Sequence, residues 1–293
     1  MNYYLAAAAL RAFSATAPTR ALYRWLGNRK TVRKLSEDKA GWVLDRIAET
    51  QLSASPRFLE LGTGWMHAYS LWPALLHDAE VCCFDVWDNR SFGALKNAVP
   101  QLVDGVQRMA RTPEQAERAR AKIALLEKAT SFDEAYRTLN LHYAIDGAGR
   151  LPWPDAHFDV IYSVDVLEHV SGAAFDSACA DWFRALRPGG RFVAQVGLDD
   201  HLAHYDPSRS KKHYLRHSDR LFRNFLENDV QYINRLPASR ILASLEAAGF
   251  RLRDTEYFSV EAATLRVHPD YAAQSEQDAR AWRLHLVAER PAD

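Results

Sequence analysis

The 293-residue sequence lacks any charge bias: 37 Lys and Arg stand against 37 Asp and Glu. That excludes the broad positive field by which proteins hold nucleic acid without sequence preference, while leaving room for a local basic patch. Cysteine is scarce, and three residues are too few for a disulfide framework. Cys82 and Cys83 adjoin in an apolar run, Cys179 is distant, and no CxxC spacing points to zinc. The thiols read as buried and reduced, in a cytoplasmic protein. No run of 18 apolar residues occurs, so no membrane span is expected. The N-terminus MNYYLAAAALRAFSATA lacks a positive residue before its apolar centre and carries Arg11 within it. It reads as a helix rather than a signal peptide. There is no internal repeat, and no low-complexity tract beyond the short alanine run.

What is present suits a substantial core. Hydrophobic residues make up 48% and charged residues 25%, fitting one large domain or two modest ones. Residues 1–55 read as helices: Trp25, Val32, Leu35, Trp42, Val43, Ile47 and Leu52 recur at roughly helical spacing. Ser53-Ala54-Ser55-Pro56 breaks the pattern. This segment is expected to be a cap or an oligomer contact, with the main domain at 56–293. Short apolar runs follow at 57–61, 80–86, 141–145, 158–166 and 191–198, most separated by helical patterns such as 173–186. The fifth run follows a turn, Arg187-Pro188-Gly189-Gly190. Strands alternating with helices predict βαβ units and a parallel sheet. Residues 238–248 form an amphipathic helical pattern that stops at Gly249. Residues 250–260 and 281–289 alternate like an antiparallel edge pair. The stretches 92–140, helical and charged, and 199–237 exceed what a minimal sheet needs, and such insertions gather around a binding cleft.

The most informative motif is Glu60-Leu61-Gly62-Thr63-Gly64-Trp65, at the end of the first strand. Glycines there let the backbone approach a ligand closely. A dinucleotide fingerprint, GxGxxG, needs a third glycine at position 67, where His67 stands. Asp85 ends the second strand, at a distance that suits a carboxylate accepting hydrogen bonds from both hydroxyls of an adenosine ribose. Glu60, just before the turn, would repel a pyrophosphate. It suits a cofactor with a cationic end and no phosphate.

With these features the chain resembles the class I S-adenosylmethionine (SAM)-dependent methyltransferases. Four ordered elements carry the resemblance: FLELGTG (58–64), Asp85, LPWPDAHFDVIYSVDVLEHV (151–170) and LRPGGRFV (186–193). They cover residues 57–198, with 238–289 covered by pattern alone. The resemblance implies an α/β, Rossmann-like, doubly wound sheet of seven strands, mostly parallel with an antiparallel last strand. A helical N-terminal region and a helical insertion are added to it. It implies SAM as methyl donor and S-adenosylhomocysteine as product. Gly62, Thr63 and Gly64 would shape the loop under the methionine part, with Glu60 near it, holding the amino group directly or through water. Asp85, with Val86 beside it, would bind the ribose. Asp146 matches the adenine-contacting acid; the spacing to the LPW segment is one residue longer than usual, so Gly147 shares that role. Ser163 would face the methionine end. On the residues alone, other readings stay open: Glu60 and Asp85 as strand-end carboxylates, Asp146 as half of an Asp-Gly turn, and Ser163 as a small packing residue.

Methyl transfer from a sulfonium is an in-line displacement, so the protein must chiefly align the partners and exclude water. A general base helps only where the acceptor must first lose a proton. The acceptor is expected near the carboxyl ends of strands four and five, where Asp199-Asp200-His201-Leu202-Ala203-His204-Tyr205-Asp206 begins, with His213, Tyr214 and His217 beyond. This reads as a substrate loop in which His201, His204 or Tyr205 orients or deprotonates the acceptor, as a metal-binding segment, or as a polar surface loop. No metal ligands are assigned. Glu168 and His169 suit a structural or cleft-lining role, with proton transfer by His169 as the sharper alternative. Arg209, Lys211, Lys212, Arg216, Arg220 and Arg223 form the one concentrated basic cluster, a solvated face or a surface for an anionic substrate or carrier protein. Trp65, Trp72 and Trp153 line a cleft or belong to the core.

The expectation is therefore a cytoplasmic enzyme that methylates O or N of a small molecule, with a homodimer left open and no nucleic-acid partner. A protein or RNA acceptor is the main alternative, followed by a non-catalytic SAM-fold binding module. An NAD-linked oxidoreductase is disfavoured by His67 and Glu60.

Overall fold

Seven strands close into one sheet in the computed structural model, which describes residues 1–28 and 35–292. Val32, part of the N-terminal helical pattern, lies outside the described residues. Residues 1–55 otherwise form α1 (Tyr3–Ser14), α2 (Ala17–Asn28) and α3 (Glu37–Ala48), with Leu35 and Leu52 of the pattern just outside α3. Then come β1 (Arg57–Leu61), α4 (Leu71–Leu76), β2 (Glu80–Asp85), α5 (Phe92–Met109), α6 (Pro113–Leu126), α7 (Phe132–Leu139) and β3 (Leu141–Ile145). After β4 (Phe158–Val164), α8 (Phe175–Ala185) and β5 (Leu186–Gly197), a one-turn α9 (Asp219–Leu221) precedes α10 (Ala238–Ala247). The chain ends with β6 (Arg251–Ser259), α11 (Glu276–Arg280) and β7 (Ala281–Glu289).

The strand order is β3-β2-β1-β4-β5-β7-β6. Five strands, β1 to β5, pair in parallel, and β7 runs antiparallel to both β5 and β6. The last strand thus slots between β5 and β6, as the expected antiparallel closing pair requires. The central strands are apolar without alternation because both faces are covered. Val81 and Cys83 of β2 face one cluster with α3 to α7, while Cys82 and Phe84 face the other with α8 and α10. The helical stretch 92–140 therefore forms part of one face of the core. Ser91, Thr112 and Ser131 cap α5, α6 and α7, each side chain accepting a backbone N–H of the first turn. The sequence Arg187-Pro188-Gly189-Gly190 is a looped-out irregularity within β5, since Phe158 pairs with Leu186 but Val160 with Arg191.

A third cluster stands apart. Tyr3 and Leu10 of α1 pack on Leu202, Tyr214, Leu215, Phe222 and Ile233 of the 199–237 stretch. The Tyr3 hydroxyl donates to Asp200 Oδ2 at 2.7 Å, and Arg11 donates to the Glu227 carbonyl at 2.9 Å. The first helix and the 199–237 insertion thus share a small core beyond the carboxyl end of β5. No helix among the described residues is long and apolar enough to cross a membrane.

Candidate active site

The turn after β1 is built by backbone geometry. Gly62 and Gly64 adopt φ of +65° and +66°, a region open to glycine at little cost. The amides of Gly62 and Thr63 both donate to the Phe84 carbonyl, at 2.8 and 3.2 Å. The Gly64 amide donates to Asp85 Oδ2 at 3.1 Å, and Val86 N–H donates to Oδ1 at 2.8 Å. A Cβ on Gly62 would strike Val166, whereas one on Gly64 would meet nothing within 4 Å. Burial pushes the Asp85 carboxyl up, and the surrounding amides oppose it.

Open apolar surface flanks this corner. Val86, Trp87 and Ile145 are 42%, 49% and 43% exposed at the carboxyl ends of β2 and β3, and Asp85 pairs with Ile145 in the sheet register. Gly147 lies beside the Val86 carbonyl. Asp146 spends one carboxylate oxygen on the Ala148 amide at 2.7 Å and sits 3.6 Å from Arg150 Nε with the other. Ser163, near the end of β4, is fully buried and its hydroxyl has no hydrogen-bond partner.

Glu60 lies beneath the turn at 1% exposure. Its Oε2 accepts the hydroxyls of Thr63, at 2.9 Å, and Ser70. Burial pushes this carboxyl up to about 8 against the pull of those hydroxyls. Ser70 in turn accepts from Tyr162 Oη and Cys83 Sγ. Because the Thr63 hydroxyl hydrogen goes to Glu60, Thr63 must accept from His67 Nδ1 at 2.9 Å, leaving Nε2 to accept the Tyr136 hydroxyl at 2.8 Å. His67 is fully buried at φ +54° and held neutral, near 3, by burial and by Arg90. Sequence reading noticed His67 only as a missing glycine. Its partner Tyr136 is 69 residues away, and no local signal links them.

A second group of side chains collects past β4 and β5. Glu168, on a short turn after β4, is 3% exposed and accepts the Gly197 amide at 3.2 Å through Oε1, while Oε2 has no partner. His169 Nδ1 lies 2.5 Å from the Tyr232 carbonyl. The ring centroids of His169 and His201 are 5.2 Å apart, and those of His201 and His204 are 5.3 Å apart. His204 Nε2 meets Asp199 Oδ2 at 2.5 Å. That contact pushes the imidazole up, and it holds the Asp199 carboxyl low although burial works the other way. Burial, with His169 nearby, lowers His201 to about 4. Asp165, at φ +56°, takes Lys39 of α3 and Arg283 of β7 as counter-ions.

The structure thus brings His169, His201 and His204 together, with Glu168 and Asp199 among them. Tyr205 stands differently: its hydroxyl accepts the Gln231 amide at 2.9 Å, which also donates to Tyr23, beside the third cluster. Of the basic run, Arg209, Lys212 and Arg216 line one cavity with His213 and Arg266, while Arg223 pairs with Asp219, Arg209 with Asp206, and Lys212 is buried against the Leu198 carbonyl and the Tyr214 hydroxyl. Trp72 is fully buried core, while Trp65 and Trp153 are partly buried against the two main clusters.

Residues 59–194 match the family model of a methyltransferase domain. The ubiquinone/menaquinone biosynthesis C-methyltransferase UbiE of Vibrio vulnificus (strain YJ016) is 28% identical over 141 residues, 45% of this chain and 52% of that protein. The chain therefore spans about half the length of the curated relatives it matches. Among solved structures, geranyl diphosphate methyltransferase in complex with GPP and sinefungin aligns with a TM-score of 0.50 and 14% identity, over 87% of this chain and 78% of that one. Phosphoethanolamine N-methyltransferase 2 of Haemonchus contortus in complex with SAM aligns at 0.49 and 15%, over 87% and 52%. At such identities the likeness is one of fold.

Proposed function

Residues 59–194 form a class I SAM-dependent methyltransferase domain, and from that premise we propose that the chain transfers a methyl group from SAM to a small-molecule acceptor. One observation carries the reading furthest: the open space at Gly64 lies beside the Asp85 carboxylate and the exposed Val86 and Ile145 side chains. A nucleoside needs that combination, an acceptor pair for its ribose hydroxyls and an apolar seat for its base. The residues fit SAM on a second count, because the buried Ser163 hydroxyl lacks a partner at the end of β4, where a ligand group can supply one.

When bound, SAM supplies an activated methyl group on a sulfonium. Asp85 accepts hydrogen bonds from the ribose, its orientation fixed by the Gly64 and Val86 amides. Val86 and Gly147 border the base, with Asp146 at its rim. Glu60 acts as a positioning residue that clamps Thr63 and Ser70 beneath the turn. His204, its basicity raised by Asp199, is placed to take a proton from an acceptor that must lose one, and His201 and His169 line the same side. The UbiE relative is a C-methyltransferase by name, so carbon joins oxygen and nitrogen as an acceptor atom. Calorimetric titration with SAM, S-adenosylhomocysteine and NAD tests the reading. The first two bind and NAD does not; absence of SAM and S-adenosylhomocysteine binding at sub-millimolar concentration overturns it.

A further inference from the structure

The glutamate after β4 poses a problem that hydrogen bonding inside the protein leaves unsolved. Glu168 is almost wholly buried, one oxygen takes a single amide, and the other takes nothing. A buried carboxylate normally has a cation or several donors around it. Here its charged neighbours include two further carboxylates, Asp165 and Asp199, which raise the cost. Lys39 and Arg283 engage Asp165 instead.

Two imidazoles stand where a cation would need them. Glu168, His169 and His201 each offer one ligand atom, all within 4.8 Å of one another, and among the described residues they are the one such group. Ligands sharing an ion at bonds near 2.1 Å lie about 3.0–3.5 Å apart, so a modest side-chain adjustment closes the site. The tautomer of His169 is fixed for the purpose. A carbonyl only accepts, so Nδ1 donates to Tyr232 and Nε2 keeps its lone pair. Metal-bound histidines are commonly held this way, the second nitrogen donating to a backbone carbonyl. Asp199, held by His204, flanks the group and presents a carboxylate on that side.

We propose that Glu168, His169 and His201 bind a divalent transition-metal ion. Two neutral imidazoles and one carboxylate favour zinc, iron, cobalt or manganese over magnesium or calcium, whose preference is for oxygen alone. Three protein ligands leave positions open on the ion. Use of those positions to hold an oxygen of the acceptor rests on the proposed methyl transfer; the metal site does not.

The untagged chain, stripped with a chelator and dialysed, is titrated with Zn²⁺ by calorimetry and with Co²⁺ by visible absorption. The wild type binds one equivalent of Zn²⁺, and zinc raises its thermal midpoint. Glu168→Gln and His201→Asn each weaken binding by about tenfold or more. No saturable one-to-one binding of Zn²⁺ or Co²⁺ by the wild type overturns the site, as does unchanged affinity in both variants. If Glu168→Gln fails to fold, the partly exposed His201→Asn decides alone. S-adenosylhomocysteine binding measured on the stripped protein reports on the cofactor site separately.

Discussion

The Gly64 amide donates to the carboxylate of Asp85, 21 residues further along the chain, at 3.1 Å. The two features that the sequence offers for nucleoside binding are therefore parts of one device. The turn orients the acid, and the acid holds the turn. Replacing Asp85 with Ala removes two charge-assisted acceptors at once. The expected loss is about 2–3 kcal/mol of S-adenosylhomocysteine binding, roughly 30- to 150-fold in Kd, with about 1 kcal/mol lost from folding. Calorimetry and denaturant melts separate the two. Wild-type affinity in Asp85→Ala removes Asp85 from the ribose site.

The neighbouring glycines should fail in opposite ways. Gly62→Ala pays φ strain of about 1–2 kcal/mol and pushes a methyl into Val166, for a further 1–3 kcal/mol. Val166→Ala in the same chain recovers the steric part alone. Gly64→Ala has no protein atom to strike. It costs stability only through φ, about 1–2 kcal/mol, yet its methyl occupies ligand space and weakens S-adenosylhomocysteine binding. Equal effects of the two substitutions on binding and on melting temperature sink this distinction.

These contrasts show what was legible in the sequence. The turn and Asp85 could be read because each is a local signal at a strand end. The inward course of Glu60 could not, since β1 is buried on both faces and alternation then carries no direction. The second strand ends at Asp85 and the fourth lies within the apolar run 158–166, as Phe158–Val164. Glu168 could be named but not explained. Its difficulty arises from burial; its one amide donor, Gly197, lies 29 residues on, and Asp199 is brought close only by the fold. Likewise α1 reads as a helix from its own composition, while its partner, the 199–237 insertion, is distant in sequence.

Glu60 gives a pH dependence with a definite sign. Its folded pKa is about 8, above the ordinary 4.5, so between these values the folded chain holds a proton that the unfolded chain releases. Its contribution to stability is greatest below about 4.5 and is lost as pH rises toward 8. The slope from this one group is at most about 1.4 kcal/mol per pH unit. Glu60→Gln carries no such proton. The difference in unfolding free energy between wild type and Glu60→Gln, followed from pH 5 to 8, moves in favour of the variant. A pH-independent difference shows that Glu60 ionises normally in the fold.

All three thiols are buried, and burial pushes each up, Cys179 to about 12. Thiolate is the reactive form. The native protein should therefore leave Ellman's reagent unreacted over minutes and release three equivalents in denaturant. Prompt labelling of one thiol in native buffer contradicts the packing around that residue.

Tyr3 and Asp200 join α1 to the 199–237 insertion. Asp200 is fully buried with its carboxyl pushed up to about 6 by burial, and it accepts the Tyr3 hydroxyl at 2.7 Å and the Leu202 amide at 3.0 Å. At neutral pH the charged form persists only while those donors remain. Tyr3→Phe keeps the ring against His213 and deletes one donor, at a cost of about 1.5–3 kcal/mol. That cost falls on the cluster shared by α1 and residues 199–237, which is separate from the two clusters on the sheet. Hydrogen exchange should accelerate in peptides from 1–14 and 199–237 while β1, β2 and β4 keep their protection. Asp200→Asn added to Tyr3→Phe returns part of the loss, because the buried charge goes with its donor, and the two substitutions are then non-additive. Uniform acceleration across the sheet instead makes this cluster and the main core one cooperative unit. Unchanged exchange in 199–237 removes the Tyr3–Asp200 contact from the forces that hold α1 and this insertion together.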